Sequence, residues 1–458
     1  MQLRSFRSHR GEVDMTQGSI FRHILLFALP LLVGNLFQQL YNMVDTWVVG
    51  NFVSNEAFSA VGTVTPITNL MIGFFSGLSS GAGVVISQSY GANKLDRVRQ
   101  TVHTAMLMTL ILGVLMTILG VLFVPLAVKL SNTPEEVVPQ AKLYLTIYFS
   151  GIMGLLIYNM GAGIFRAIGN SLLPFLFLLI SALLNTGLDL LFVLRFGMGV
   201  DGVAYATIIA QGVSAVLIFV MLMRTKTCAR LRLKELKIQW SILGTIFRIG
   251  SPAALQMAIT AFSNIFVMGY INAFGTHVMS GWTAYSKVDQ LLFLPMQSIA
   301  LGATTFVGQN LGAGNVDRAK RGVRISLLIA FVSTVLLSIP VIMFAPSIVA
   351  FFNQTPQVIE NGTIFLRFIT PFYLLCCINQ VYASALRGAG NTRAPMVLML
   401  GSFVVFRQIY LYIMANYISN TMLWIAFGYP AGWLVCSLAT LIYYRCVPLD
   451  RHRILETT

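Results

Sequence analysis

Long apolar runs, separated by short polar segments, cover nearly the whole chain. We place twelve runs, at 22–50, 58–88, 103–130, 140–164, 172–195, 203–223, 246–273, 279–308, 325–352, 362–385, 395–417 and 421–445. A helix of about 20 apolar residues crosses the hydrocarbon core of a bilayer, whereas a barrel strand needs only about 9–11 residues. Each run is therefore predicted to be a transmembrane helix, and the chain is predicted to be an all-α integral membrane protein.

The composition supports a membrane protein and gives no sign of an enzyme. Of the 458 residues, 57% are hydrophobic and 10% are charged, against about 25% charged residues in soluble domains. The first run is too long for the apolar core of a cleavable signal peptide. The five cysteines lack the spacing of metal ligands, and no arrangement of residues for catalysis is evident. We therefore expect neither an enzyme nor a bound cofactor.

The net charge of +15 is distributed unevenly between alternate loops. One set of loops holds nearly all basic residues, among them Arg22, Lys94, Arg97, Arg166, Arg224, Arg230, Arg318, Arg387 and Arg445; the opposite set holds Lys129, Lys142 and Arg195. Because basic loops stay in the cytoplasm, we expect a multi-pass protein of the cytoplasmic (inner) membrane with both termini cytoplasmic. The basic charge then marks orientation and suits anionic membrane lipids, and it does not indicate a nucleic-acid partner.

An internal repeat divides the chain into two halves. The segment 88–97 matches 309–318, and FRAIGN at 165–170 matches LRGAGN at 386–391, both with an offset of 221 residues. Pro30 and Pro252 agree within one residue of that offset. The prediction is twelve transmembrane helices in two pseudo-symmetric six-helix lobes around a central cavity. The N-lobe covers 1–225, a basic cytoplasmic linker covers 226–240, and the C-lobe covers 241–458.

An acidic residue interrupts the first apolar run. Asp45 continues a polar helical stripe formed by Gln38, Tyr41 and Asn42. A charged residue at the centre of a span costs about 2.5–3.5 kcal/mol on insertion scales, so such residues mark functional sites. The alternative is that Asp45 lies at the membrane surface and is merely solvated. The stripe that runs inward from Asp45 favours a water-filled cavity.

Further polar residues in the same half extend this acidic cluster. Asn185 and Asp189 share a helix face in the fifth run, Thr207 and Gln211 share one in the sixth, and Asn159 lies in the fourth. With the repeat offset, Asp45 aligns with Val267, Asn185 with Phe406 and Asp189 with Tyr410, so the second half lacks the acids. Oxygen donors of this kind suit a hard cation or a shared proton. For the neutral residues, interhelical hydrogen bonding is the alternative.

The second half carries different polar residues. Gln256 and Thr260 lie in the seventh run, Asp289 in the eighth and Arg407 in the middle of the eleventh. Asp289 could bind a cationic substrate directly. It could equally form a structural pair with Arg407 or Lys287.

Several motifs together resemble the multidrug and toxic compound extrusion (MATE) family of secondary antiporters. They are VDTWVVG at the end of the first run, the ALP that contains Pro30, the FRAIGN and LRGAGN turns, and the N-x-x-x-D of the fifth run. The resemblance implies a two-lobed fold with a V-shaped cavity that exports lipophilic, often cationic compounds. It implies a cation or proton site at Asp45, Asn159, Asn185, Asp189 and Thr207, with Asp45, Asn185 and Asp189 as Na+ ligands if Na+ is used.

The resemblance also implies roles outside that site. Pro30 would be a hinge at which the first helix bends when Asp45 is protonated. Asp289 matches an acid implicated in binding cationic drugs. Some members use an acid in the seventh span, where this chain has Gln256 and Thr260, and that difference places the coupling site in the N-lobe.

We therefore expect a secondary multidrug efflux antiporter that exchanges lipophilic, mostly cationic compounds for H+ or Na+. The predicted substrate-binding residues are Gln38, Tyr41, Asn42, Gln211, Gln256, Thr260, Asp289 and Arg407. The alternative is a lipid-linked oligosaccharide flippase of the same wider superfamily, although one mid-run arginine makes a poor cationic cavity. A membrane enzyme or receptor fits less well, because no sizeable extramembrane domain is present. A twelve-span chain with its own cavity has no need to oligomerise, so we expect a monomer.

Overall fold

A computed structural model describes residues 13–131 and 133–454 of the chain. The helices of the first half are α1 (Ile20–Phe52), α2 (Asn55–Gly91), α3 (Leu95–Leu130), α4 (Val138–Ser150), α5 (Ile152–Ala167), α6 (Leu172–Leu190) and α7 (Val200–Arg224). Those of the second half are α8 (Trp240–Asn272), α9 (Thr276–Gly312), α10 (Val316–Met343), α11 (Ala345–Phe352), α12 (Pro356–Ile369), α13 (Tyr373–Gly388), α14 (Arg393–Leu400), α15 (Arg407–Ile413), α16 (Met422–Ala426) and α17 (Gly428–Cys446).

The helices account for the apolar runs one by one. Within the described residues, eleven helical segments are long and apolar enough to cross a membrane. The pair α4 and α5 forms a twelfth span, bent by 48°, at Gly151. A side chain there would meet Ile208, since an added Cβ would lie 2.5 Å from the Ile208 Cβ. The predicted all-α, multi-pass architecture is confirmed.

The two copies of the repeat fold with the same hydrogen bonds. After α2, Asn93 has a positive φ of 57° and Lys94 N–H donates to Ser89 O. After α9, Gly314 has a φ of 82° and Asn315 N–H donates to Asn310 O. Both helices therefore end in a left-handed turn that satisfies their last carbonyls, which explains why the turn motif occurs twice.

The second repeated motif also closes one helix and begins the next. Gly169 and Gly390 have φ values of 89° and 95°. The side-chain oxygens of Asn170 and Asn391 then accept from the backbone N–H of the third residue onward, at 3.1 Å in both copies. Glycine supplies the left-handed conformation and asparagine caps the following helix.

Two compact units divide the described residues. The first unit contains 13–14 and 30–254, and the second contains 15–29 and 255–454. Each unit therefore ends or begins inside a continuous helix, next to Pro30 in α1 and close to Pro252 in α8. The hinge role of Pro30 and the predicted domain limits at 225 and 241 stay predictions.

The basic linker belongs to the first unit and packs against α3. His103 of α3 accepts from Arg232 N–H at 3.0 Å, and Thr104 accepts from Gln239 N–H at 3.2 Å. The side chain of Arg232 also donates to Glu235 at 2.7 Å, and this contact lowers the pKa of Glu235.

A continuous hydrophobic core fixes the second part of α1 within the first unit. Val48 and Val49 are fully buried there, together with Leu145 of α4 and Ile152 of α5. Since Asp45 lies one turn before Val49, the apolar packing also fixes the depth of its carboxyl.

Candidate functional site

A pair of carboxyl groups forms the centre of the site in the first unit. Asp45 of α1 and Asp189, in the last turn of α6, lie within hydrogen-bonding reach of each other. Asn185, one turn before Asp189, donates its amide to Asp189 Oδ2 at 3.4 Å. The structure therefore brings together three of the residues that the sequence indicated.

Three oxygens of this cluster lack donors among the described residues. Among the described residues, no amide or hydroxyl donor reaches Asp45 Oδ1, Asn185 Oδ1 or Asp189 Oδ1, although all three atoms are buried. An unsatisfied buried polar atom costs about 1–3 kcal/mol. A proton shared between the carboxyls, or a hard cation bound by oxygens, would remove that cost.

The donor set excludes the usual transition-metal arrangement. In the described part of the chain, no group of three or more His, Cys, Asp or Glu side chains could hold a metal ion. The cluster offers two carboxyls and one amide oxygen, which suits Na+ or H+ better than a soft metal ion.

Tyrosines of α1 and α4 surround the carboxyl pair. Tyr41 and Tyr144 both lie near enough to Asp45 to interact with its charge, and Tyr144 interacts more weakly with that of Asp189. The Tyr144 hydroxyl is also within hydrogen-bonding reach of Thr207 of α7. Thr207 therefore joins the cluster through Tyr144.

Tyr144 and its neighbour Tyr148 were not indicated by the sequence analysis. Their rings are stacked, with centroids 6.3 Å apart, and the Tyr148 hydroxyl reaches Gln211. The available signal was the spacing of Gln140, Tyr144 and Tyr148, which places three polar tips on one face of α4.

Two of the predicted residues lie apart from the carboxyl pair. The Asn159 amide donates to Leu155 O of its own helix at 2.9 Å, and Asn42 is exposed. Among the described contacts, none joins either side chain to Asp45 or Asp189. Gln38 is half-buried and lies within hydrogen-bonding reach of Tyr41.

Asp289, in the second unit, is held by two tyrosines. Tyr285 donates to its carboxyl at 3.3 Å, and Tyr373 of α13 donates to the same oxygen. The two hydroxyls lie 3.2 Å apart. Within the described residues, Asp289 forms no salt bridge with Arg407 or Lys287, so the structural pair considered from the sequence is not found.

Arg407 is buried with neutral partners. Only 3% of its surface is exposed, and its Nη2 donates to Ser263 Oγ at 2.9 Å and to Asn264 Oδ1 at 2.8 Å. Its guanidinium lies over the Tyr429 ring, 4.8 Å from the centroid. The arginine therefore ties α15 to α8 and α17 within the second unit.

Gln256 and Thr260 lie one to two turns before Ser263 in α8. Among the described contacts, none joins either side chain to Arg407. Gln256 accepts from Arg387 at 3.0 Å and donates to Met399 Sδ at 2.9 Å. Thr260 Oγ1 is buried, and no partner reaches it among the described residues.

A helical irregularity changes the register of the second copy of the repeat. The turn 401–406 between α14 and α15 is π-helical, and a π turn holds one residue more than an α turn. The buried series Ser181, Asn185, Asp189 of the first half therefore corresponds to Ser402, Arg407, Leu411. The alignment of Asn185 with Phe406 and of Asp189 with Tyr410 was wrong by one residue.

Both halves of the chain match the model of one known protein family. A family model described as MatE matches residues 30–191 and 252–413. The chain belongs to the MatE family. The two matched MatE segments begin at Pro30 and Pro252. Their offset of 222 is the one that Asn185 and Arg407, and Asp189 and Leu411, also have.

The MatE chain has relatives along almost its full length. It is 27% identical to the probable multidrug resistance protein YpnP of Bacillus subtilis, over 94% of this chain and 96% of the relative. It is 27% identical to the probable multidrug resistance protein NorM of Thermotoga maritima, over 99% and 98%. A FAD transporter of Shewanella oneidensis is 25% identical, over 84% and 86%.

Solved structures confirm the MatE fold. An outward-facing multidrug resistance MATE family transporter superposes with a TM-score of 0.91 at 23% identity, covering 96% of this chain and 98% of that chain. A transporter of the MOP superfamily from Pyrococcus furiosus gives a TM-score of 0.89 at 24% identity, covering 96% and 98%. The predicted family and the predicted transporter class, as opposed to an enzyme, are confirmed.

Proposed function

We propose that this MatE protein is a secondary multidrug efflux antiporter. It exports lipophilic, mostly cationic compounds in exchange for H+ or Na+, and its two lobes alternate access to the two sides of the membrane. The names of the relatives support multidrug export, since several are multidrug resistance proteins. The protein acts in the cytoplasmic (inner) membrane as a monomer with both termini in the cytoplasm.

The observation that carries this proposal is the carboxyl pair Asp45–Asp189 with its unpartnered oxygens. Two carboxyls at such a distance cannot both stay ionised without a neutralising proton or cation. Binding of the ion removes the negative charge that attracts a cationic compound. Entry of the ion and retention of the cargo therefore exclude each other, which is the requirement for exchange.

Asp289 supplies a second place for a positive charge. Its carboxyl lies among rings: Trp282 is 4.8 Å from Tyr285, and Tyr373 is 5.3 Å from Trp433, centroid to centroid. A carboxylate next to aromatic faces suits a planar organic cation. In this proposal Asp289 binds cargo and takes no part in ion coupling.

The flippase alternative is not favoured. The relatives include multidrug resistance proteins and a FAD transporter, and none of the names given above mentions a lipid-linked sugar. The FAD transporter also indicates that cargo within the family is not restricted to cations.

Efflux of ethidium from proteoliposomes tests the proposal. D45N and D189N should each lower the rate at least about tenfold, because a lost charge-assisted interaction is worth about 1.5–3 kcal/mol. D96N is the matched control, since Asp96 is 94% exposed at the start of α3. Undiminished efflux in both D45N and D189N would reject the proposal.

The same vesicles identify the coupling ion. The Na+ gradient and the pH gradient are collapsed separately, and the gradient whose loss stops efflux names the ion. If efflux continues after both are collapsed, antiport is excluded and only the carboxyl cluster itself remains to be explained.

A further inference from the structure

Arg407 is a buried positive charge without a negative partner. Buried charges in proteins are normally paired, because removing an ion from water costs several kcal/mol. Within the described residues, no carboxylate lies within 4.0 Å of this guanidinium, and its Nε is buried with no hydrogen-bond partner. At lipid depth such a residue marks a functional site.

A second donor, the side-chain amide of Gln408, lies beside the Arg407 guanidinium and shares its acceptor Ser263. Gln408 donates its amide to Ser263 Oγ at 3.0 Å and to Ser263 O at 3.2 Å. Ser263 in turn donates to Phe403 O at 3.0 Å. The guanidinium and this amide therefore converge on one short stretch of α8, where hydroxyl and amide oxygens accept but nothing neutralises the charge.

The guanidinium of Arg407 is hydrogen-bonded to an exposed residue of the second unit. Its partner Asn264 is exposed, although Ser263 beside it is 1% exposed. An exposed amide at lipid depth is costly against hydrocarbon and is expected to face water. A ligand that displaces or joins Asn264 would reach the guanidinium.

Aromatic rings keep Asp289 from neutralising Arg407. Tyr429 lies under the guanidinium and is 5.4 Å from Trp282, centroid to centroid. The Asp289 carboxyl accepts hydrogen bonds from the Tyr285 and Tyr373 hydroxyls, and the Tyr285 ring lies 4.8 Å from Trp282, centroid to centroid. A positive and a negative group thus border one aromatic surface without contact.

The two halves of the repeat carry opposite charges at equivalent positions. Arg407 occupies the place that Asn185 has in the first half, and Leu411 that of Asp189. Val267 stands where the first half has Asp45. The first half therefore has a negative site between its first and fifth spans, and the second half has a positive site at the equivalent position.

We propose that Arg407, with Ser263 and Asn264, forms an anion site that binds the carboxylate of an aromatic cargo. The guanidinium supplies a planar pair of N–H donors that matches a carboxylate, and Tyr429 and Trp282 contact the adjoining ring. This assignment deepens the proposed efflux function by naming an acidic class of cargo. Binding to purified protein tests it independently of ion coupling.

Two dyes that differ in one methyl group provide the test. Rhodamine 110 carries a free carboxylate, and rhodamine 123 is its methyl ester. Their affinities for the purified full-length protein in detergent are measured by fluorescence anisotropy. R407Q should weaken binding of rhodamine 110 at least about tenfold and leave rhodamine 123 within about twofold.

A second variant guards against misfolding of R407Q. N264D places a carboxylate at an exposed position beside the guanidinium, so the chain supplies its own anion. N264D should also weaken the binding of rhodamine 110 selectively. R407K keeps the positive charge but loses the paired N–H donors of the guanidinium, so its affinity for rhodamine 110 should lie between those of wild type and R407Q.

Three results would overturn the anion site. They are equal losses of both dyes in R407Q, unchanged affinity for rhodamine 110 in R407Q and N264D, and no binding of rhodamine 110 to the wild type. Equal losses would assign Arg407 to packing between α8 and α15. If selectivity changes as expected while D45N and D189N still transport ethidium, the anion site stands and the exchange mechanism fails.

Discussion

Asp189 has no exposed surface, yet one of its carboxyl oxygens finds no donor among the described residues. Its neighbours are another carboxyl and an amide that already donates to the other oxygen. Asp289 shows the opposite arrangement, since two hydroxyls donate to one of its oxygens. At the scale of single residues, the first carboxyl keeps one oxygen without a donor, and the second accepts two hydrogen bonds from the protein.

This contrast predicts opposite effects of two matched substitutions on stability. In Na+-free buffer near pH 8, D189N should raise the melting temperature, with a gain of roughly 1–2 kcal/mol. The amide replaces one of two buried carboxyls that otherwise have to share a proton, and it supplies N–H donors. D289N should lower it, because it weakens two hydrogen bonds to a charged group. Thermal unfolding of both proteins in detergent provides the measurement, and a fall of similar size in both would contradict the prediction.

The sequence could predict the charged residues but not all of their partners. Asp45 and Asp189 are conspicuous because acids are rare at lipid depth. Tyr144 and Tyr373 are not, because an aromatic residue in an apolar helix usually packs. The register of Arg407 was also hidden, since a single π turn shifts every later residue of a helix and leaves no pattern in the sequence.

Close contact between α2 and α8 is the clearest feature at the scale of elements. A Cβ added to Gly81 would lie 2.6 Å from Ile246 O and 2.8 Å from Gly250 N. Backbone atoms cannot move aside as a flexible side chain can. Within the first unit, the first part of α8 can therefore pack this closely against α2 only because α2 has glycine at this position.

A pair of glycine substitutions in α2 tests this contact. G81A should destabilise the protein by about 1–3 kcal/mol, because overpacking shifts the backbone. G62A is the control in the same helix: an added Cβ there meets nothing within 4 Å, so alanine should be neutral or stabilising by up to about 1 kcal/mol. Equal changes in the melting temperature of the two variants would disprove the close-packing argument.

The linker contributes a stabilising contact that depends on pH. The hydrogen bond from Arg232 lowers the pKa of Glu235. A carboxyl with a lowered folded pKa stabilises the protein above its ordinary pKa of about 4.3, and this contribution is lost as the pH falls through the folded value.

E235Q should therefore have a lower melting temperature than wild type at pH 7, and the difference should vanish near pH 3. Melting curves between pH 3 and 8 measure it, with the exposed Glu135 changed to Gln as control. A difference between wild type and E235Q that is constant across this range would rule out the ionic contribution.

At the scale of the whole molecule, the positive-inside pattern predicts which end of each span faces the cytoplasm. Cysteines provide natural probes, since Cys376, Cys377 and Cys436 are buried and Cys446 at the end of α17 is exposed. Fold class and span number followed from the apolar runs alone, because a bilayer permits few backbone solutions. Orientation follows from charge and needs its own test.

A membrane-impermeant maleimide should label Cys446 in inside-out vesicles and leave it unlabelled in intact cells. The C228S background removes the half-buried cysteine of the linker, and C446S gives the blank. Equal labelling in intact cells and inverted vesicles would place the C-terminus outside the cytoplasm.

The division of α1 before Pro30 and of α8 after Ala254 has a consequence for protein engineering. A chain cut within the linker would yield two fragments, neither of which holds all the residues of its own compact unit. Residues 15–29 would travel with the wrong fragment, and so would all of 241–254. Transplanting one unit from a homologue therefore requires junctions at 14–15, 29–30 and 254–255, and a single crossover at the middle of the gene would produce two incomplete modules.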